Sequence, residues 1–160
     1  MSEAGILLVN KTSGPTSHDV VARARKILWT KEIGHTGTLD PIASGLLILT
    51  VGRANKLSQY LMDGEKGYSV KIRLGVTTDT LDRSGKILSE ENVSLTQSQI
   101  ESAVQELQGD LTLEVPAFSA VKVDGQKLYE LARKNQATPK IERTMSFFDV
   151  HLIEQASPYL

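Results

Sequence analysis

The apolar positions in the first part of the chain predict two strands and two helices. Residues 6–10 and 46–51 form short apolar runs, which are typical of buried strands. Ser17 is a good N-cap for a helix that ends near Trp29, because the residues between them are apolar at spacings of three and four. Residues 54–61 predict a second helix. The apolar positions of the first helix are Val20, Val21, Ala24, Ile27 and Leu28.

The rest of the chain predicts further strands around one more long helix. Residues 68–74 alternate between apolar and polar, as half-exposed strands do, and residues 77–85 are rich in turn-forming residues. Thr96 and Gln99 form a capping-box pattern for a helix that stops at Gly109. The remaining elements are a strand and turn at 119–125, a short helix at 128–133 and a strand region at 141–153. This order predicts one α+β domain with a mixed, largely antiparallel sheet flanked by helices.

Composition indicates a globular protein without a metal. The chain has 160 residues, of which 40% are apolar and 23% charged, so we expect one domain with a real core. The absence of cysteine excludes disulfides and thiolate zinc sites, and the 3 histidines are scattered without a second ligand at helical spacing. We see neither a charged leader nor an apolar run long enough to span a bilayer. We therefore expect a cytoplasmic monomer.

Charge is segregated along the chain. The net charge is -1, which by itself does not indicate a polyanion binder. Residues 11–40 nevertheless hold five basic against three acidic residues, and residues 120–145 hold six against three. Residues 63–110 hold nine acidic against five basic residues. This distribution predicts a basic surface around residue 40, with ordinary solvated helix faces as the alternative.

Residues 34–41, GHTGTLDP, carry the strongest candidate chemistry. They place Asp40 on a turn directly before the apolar run at 46–51. Gly34 and Gly37 permit backbone angles that other residues avoid, and Pro41 restricts its own φ and the conformation of Asp40. We expect the loop to hold the carboxylate in one direction, although the same residues also build ordinary turns that lead into strands.

Residues 34–41 resemble the signature loop of the TruB family of tRNA pseudouridine synthases, in which the aspartate is the nucleophile. The similarity continues along nearly the whole chain. It includes Gly14-Pro15-Thr16-Ser17 after the first strand, with Thr12 where the family usually has proline, and the motif Lys66-Gly67-Tyr68. Other matching segments are Gly52-Arg53-Ala54-Asn55-Lys56-Leu57, Arg73-Leu74-Gly75, Thr78-Asp79-Thr80, Ser119-Ala120-Val121-Lys122 and Lys127-Leu128-Tyr129-Glu130.

The resemblance implies the pseudouridine synthase fold and a cofactor-free isomerisation of uridine in the tRNA T-loop, at uridine-55. It implies that Asp40 is the nucleophile and that Tyr68 stacks on the target uracil and accepts a proton, with a tyrosine packed in a sheet as the alternative. Attack at C1′, attack at C6 and a glycal route all stay open. His35 is implied to fill the space of the extruded base, unless it only bonds locally. The other implied RNA contacts are Lys11, Thr38, Lys122, Tyr129 and Arg133.

The resemblance covers the front of the family's catalytic domain. We expect residues 1–160 to form a truncated catalytic domain with a thumb-like insertion at about 119–143 and no C-terminal PUA domain. The family continues into a strand whose arginine pairs with the catalytic aspartate, and the last arginine here is Arg143. The alternative function is therefore a noncatalytic module that binds or folds the tRNA T-loop. A nucleotide-phosphate site at 34–37 is a third hypothesis, but the segment has neither a Walker lysine nor a dinucleotide glycine pattern.

Overall fold

A computed structural model describes residues 4–116, 119, 121–123, 125–128, 131, 134, 139–155 and 158–160, with the side chains of Lys122 and Lys127 excepted. The chain divides into two compact units, Met1–Tyr68 and Ser69–Leu160. Both contain short helices, and every strand pairing in the described residues is antiparallel. This composition confirms the predicted α+β class.

The first unit is a three-stranded sheet with its helices. Its elements are β1 (Gly5–Lys11), α1 (Ser17–Ile27), β2 (Ile33–His35), β3 (Gly45–Val51), a 3-10 helix (Gly52–Leu57) and α2 (Ser58–Met62). The strand order is β1-β3-β2, and the register pairs Lys11 with Gly45 and His35 with Leu49. The single helix predicted at 54–61 is thus two shorter helices in sequence.

One face of this sheet forms the core of the first unit. The buried cluster consists of Val21 and Ala24 from α1, Ile33 from β2, and Leu47 and Leu49 from β3. On the opposite face, Leu8 of β1 is 65% exposed and Leu46 of β3 is 61% exposed. The two predicted strands are confirmed, but their complete burial is wrong. Successive side chains of a strand point to opposite faces, and this core lies on one of them.

The start of α1 differs from the prediction by one residue. Thr16 is the N-cap: its hydroxyl accepts from the Asp19 backbone N–H, and the Asp19 carboxylate accepts from the Thr16 backbone N–H at 2.9 Å. Hydrogen bonds from Thr16 to the Asp19 carboxylate lower the pKa of Asp19 below its ordinary value. The prediction of Ser17 as N-cap is wrong, because its hydroxyl binds the backbone of Leu39 instead.

The second unit contains short antiparallel pairs and one helix. Its elements are β4 (Val76–Thr78), β5 (Ile87–Glu90), α3 (Gln97–Glu106), β6 (Gly109–Glu114), β7 (Lys122–Val123), β8 (Gln126–Lys127) and β9 (Glu142–Phe147). The pairs are β4 with β5, β6 with β9, and β7 with β8. The predicted capping box of Thr96 and Gln99 is confirmed at the start of α3, which buries Ile100. The helix predicted at 128–133 falls largely outside the described residues.

The strand predicted at 68–74 is wrong. This segment has no regular strand, although Ile72 exchanges two backbone hydrogen bonds with Leu160 and the Leu74 N–H donates to the Pro158 carbonyl. Alternating apolar residues do not supply a partner strand, and Val70 is 68% exposed. No helix within the described part of the chain has the length and apolar character needed to cross a membrane.

We expect Thr16→Ala to lower the free energy of unfolding by about 1 kcal/mol, because the substitution removes the side-chain acceptor at the start of α1. Urea unfolding followed by circular dichroism measures this change. Ser44→Ala is the matched control, since Ser44 is an exposed hydroxyl residue outside the helices and strands. An equal effect of the two substitutions would contradict a specific role for the cap.

Candidate active site

Asp40 lies on a tight turn between β2 and β3. The Ala43 N–H donates to the Asp40 carbonyl oxygen at 3.0 Å, which closes a four-residue turn with Pro41 at its second position. Proline favours this position because its fixed φ suits the turn and its missing N–H is not needed there. The turn therefore follows from local sequence.

The segment 11–17 holds this turn from outside. The Ser17 hydroxyl donates to the Leu39 carbonyl at 3.0 Å and accepts from the Leu39 N–H at 2.9 Å. The Gly14 N–H donates to the Pro41 carbonyl at 2.7 Å. Gly14 has a φ of 115°, which only glycine adopts readily. This conformation explains why glycine begins the Gly-Pro-Thr-Ser segment that resembles the family. The backbone on both sides of Asp40 is thereby fixed.

Lys11 is the last member of a clamp on the Asp40 turn that also contains Ser13, Gly14 and Ser17. The structure corrects the contact with an RNA phosphate that was predicted for Lys11. The residue is 1% exposed. Its ammonium group donates to three backbone carbonyls, those of Thr12 at 3.1 Å, Pro15 at 2.9 Å and Ala43 at 2.8 Å. A buried ammonium with three acceptors has no donor left for a phosphate, since it carries three N–H groups in all. Lys11 therefore positions the turn from behind.

The residues before Asp40 continue from β2. The Thr36 N–H donates to the Ile48 carbonyl at 3.0 Å, and Thr36 is buried, whereas Thr38 is exposed. His35 is half-buried, and its Nδ1 donates to the Gly37 carbonyl at 2.7 Å. This bond fixes the plane of the imidazole, and the other ring nitrogen, Nε2, takes no part in it.

The two glycines of this loop do not adopt the left-handed backbone angles that only glycine favours. Neither Gly34 nor Gly37 has a positive φ. A Cβ on Gly34 would lie 3.2 Å from Oδ1 of Asn55, which itself accepts from the buried Thr50 hydroxyl at 2.7 Å. A side chain at residue 34 would therefore require the Asn55 side chain of the 3-10 helix to shift.

The Asp40 side chain itself is exposed. Among the described residues, no side chain or backbone group donates a hydrogen bond to its carboxylate, in contrast to the bonded carbonyls around it. A carboxylate on a fixed turn can act as a nucleophile or as a base towards a bound molecule. Within the described chain, no group of three His, Asp or Glu residues is placed to hold a metal ion.

The described structure does not test the roles predicted for the remaining site residues. Tyr68 is 69% exposed and follows α2 in a segment without regular structure. Lys122 lies on β7 in the second unit, and its side chain falls outside the described atoms. Tyr129 and Arg133 lie outside the described residues. The roles implied for these four residues stay predictions.

Sequence reasoning missed the clamp. Ser17 gave a helix-capping signal, and Thr16 carries the same signal one residue earlier, so local propensity could not separate their roles. The Ser13 hydroxyl, which donates to the Ile42 carbonyl at 3.2 Å, gave no signal at all. These contacts join residues 22 to 32 positions apart, and only the tertiary fold shows them.

We expect Ser17→Ala to lower the free energy of unfolding by about 1–3 kcal/mol, because it removes a buried hydroxyl and leaves the N–H and the carbonyl of the half-buried Leu39 without partners. Chemical unfolding of the purified chain measures this. The matched control is Ser13→Ala, which removes one exposed bond to the same turn and should cost about 0.5 kcal/mol or less. Equal losses of stability in the two variants would show that the Ser17 bonds contribute no more than the Ser13 bond.

Comparison with known proteins identifies relatives across nearly the whole chain. The model of the TruB family pseudouridylate synthase (N terminal domain) matches residues 25–160. A tRNA pseudouridine synthase B from Bdellovibrio bacteriovorus is 47% identical over 156 residues, which are 97% of this chain and 51% of that protein. The protein of the same name from Bacillus pumilus is 44% identical over 158 residues, 98% of this chain and 50% of the relative.

The chain therefore spans about half the length of the curated relatives it matches. Among solved structures, a Cbf5-Nop10-Gar1 complex contains a chain that matches 89% of this one at 24% identity with a TM-score of 0.55, and 33% of that chain is covered. This likeness supports the fold alone. Because the family model matches most of its residues, this chain belongs to the TruB family of pseudouridylate synthases.

Proposed function

We propose that this chain carries the nucleophile of an enzyme that converts uridine to pseudouridine in tRNA, with uridine-55 of the T-loop as the target. Family membership and the curated relatives named tRNA pseudouridine synthase B support the reaction class. The observation that carries the proposal is the exposed Asp40 carboxylate on a turn whose flanking residues are bonded to segment 11–17.

The reaction requires one bond to break and one to form between the same two rings. The bond between ribose C1′ and uracil N1 breaks, the base turns, and a bond between C1′ and C5 forms. N1 gains a proton and C5 loses one, so no atom is imported and nothing is oxidised. Asp40 would act as the covalent nucleophile that holds the intermediate while the base turns. A fixed backbone favours this role, since a nucleophile must stay aligned with the atom it attacks.

Base access requires the nucleotide to leave its stack, because the reacting atoms are otherwise covered by neighbouring bases. His35 would occupy the space left by the extruded uracil, and the bond from its Nδ1 to the Gly37 carbonyl holds the ring in one plane for this purpose. The exposed ring of Tyr68 would stack on the target base and accept a proton.

The proposal includes the rest of the RNA contact. Thr38, which is exposed beside Asp40, would contact the T-loop directly. Lys122, Tyr129 and Arg133 would belong to a thumb at about 119–143 that closes on the RNA, as the family resemblance implies, with the arginine and lysine near phosphates. All 160 residues would then form one part of a catalytic domain that acts on tRNA as a cytoplasmic monomer.

We expect Asp40→Asn to reduce the formation of pseudouridine by roughly a thousand-fold or more, because removing a covalent nucleophile typically costs on this scale. The assay incubates the purified chain with an unmodified tRNA transcript and detects pseudouridine chemically. Asp63→Asn is the matched control, since Asp63 is an exposed carboxylate of the same unit, and it should keep full activity.

A transcript with cytidine at position 55 tests the target and should give no product. Activity of Asp40→Asn close to that of the native chain would contradict the role of the nucleophile. Binding of tRNA without isomerisation by the native chain would contradict catalysis and would identify a noncatalytic RNA-binding module instead.

A further inference from the structure

The side chain of Trp29 does not stabilise the fold by burial. The side chain is 94% exposed, and it is the only tryptophan among the 160 residues. It follows Leu28, the C-cap of α1, and its φ is 49°. Helices commonly end with glycine at this point, because a left-handed residue with a Cβ is strained.

The strain and the exposure together need an explanation other than stability. An indole that stays in water contributes no burial, and glycine would relieve the backbone at the same position. Non-glycine residues in the left-handed region often mark functional positions, and exposed aromatic rings often mark binding surfaces. Leu81 also combines a positive φ with 70% exposure, so at Trp29 it is the aromatic ring that indicates a surface for another molecule.

The surroundings of Trp29 are cationic. The ring borders an open groove of about 620 Å³ that is lined by Arg25, Lys26, Trp29, Thr30 and Lys31. Residues 20–31 contain four basic residues and no acidic one. Lys26 and Lys31 are exposed, and Arg25 is held in place by a 2.8 Å bond from its Nη2 to the Ile33 carbonyl. The lining is mainly apolar, so the groove combines one flat aromatic face and aliphatic side-chain stems with the positive charges that Lys26 and Lys31 carry on exposed side chains.

We propose that this groove is a second RNA contact, separate from the Asp40 turn, in which an unpaired base stacks on Trp29 while Lys26 and Lys31 bind the adjoining phosphates. The inference rests on the proposed function in that RNA is the substrate. An aromatic face flanked by cations is the arrangement by which proteins bind single-stranded nucleic acid without reading its sequence. A protein partner would suit Trp29 and Arg25, residue types that interface centres favour, but not the two lysines, a residue type of which they are depleted.

The single tryptophan makes the test specific, because all indole fluorescence of the chain comes from this groove. We expect an unmodified tRNA transcript to quench the fluorescence in a saturable way. Changing both Lys26 and Lys31 to alanine should reduce the slope of log affinity against log salt by about 1.4, since each phosphate contact with a single strand contributes about 0.7.

Substitutions of Trp29 separate stacking from folding. In filter binding with labelled tRNA, Trp29→Gly should weaken affinity by roughly ten-fold or more, whereas Trp29→Phe should keep most of it, because base stacking needs an aromatic face. Leu81→Gly is the matched control. Leu81 also has a positive φ, 59°, and is 70% exposed, so its replacement by glycine relieves the same kind of strain without removing an aromatic ring.

Three results would overturn the inference. The first is tRNA binding that neither quenches Trp29 nor weakens in Trp29→Gly, which would leave the proposed function of Asp40 intact. The second is a blue shift of the fluorescence with rising protein concentration in the absence of RNA, which would show that a second copy of the chain covers the ring. The third is an equal loss of affinity in Leu81→Gly. Quenching without any isomerisation would support this contact and contradict only the catalytic proposal.

Discussion

The position of the Asp40 turn depends on the buried ammonium group of Lys11. Lys11 ends β1, and its acceptors are Thr12 and Pro15 in the following loop and Ala43 in the turn, so that one side chain ties these three segments together. Removing an ammonium from water is costly, and hydrogen bonds from a charged donor offset that cost. The bonds from Ser17 and Gly14 act in the same region and fix the remaining backbone groups of the turn.

This arrangement separates a rigid backbone from an accessible side chain. The carbonyls of residues 39 and 41–43 are bonded to segment 11–17, while the carboxylate between them is exposed. A nucleophile benefits from both properties, since the position of its backbone is set before the substrate arrives and its reacting atoms remain open. Family membership then names the reaction class for which such a carboxylate is suited.

The features that could be predicted from the sequence are those that short local patterns determine. The turn at Asp40, the capping box at Thr96 and two of the three strands of the first sheet, β1 and β3, follow from short patterns, and they are present in the structure. The place of Lys11 could not be predicted, because a lysine is normally solvated and its burial depends on tertiary contacts. The predicted strand at 68–74 failed for a similar reason, since pairing requires a partner that alternation does not reveal.

Hydrogen exchange of Lys11→Met tests the central claim, that the Lys11 ammonium holds the turn that carries Asp40. Methionine has a similar length but no donor, so the carbonyls of Thr12, Pro15 and Ala43 lose their shared partner. We predict that exchange of the Gly14 and Leu39 amides becomes at least about ten-fold faster, while the amides of Leu47 and Leu49 keep their protection. Unchanged exchange at Gly14 and Leu39, or an equal increase at all four amides, would contradict the account.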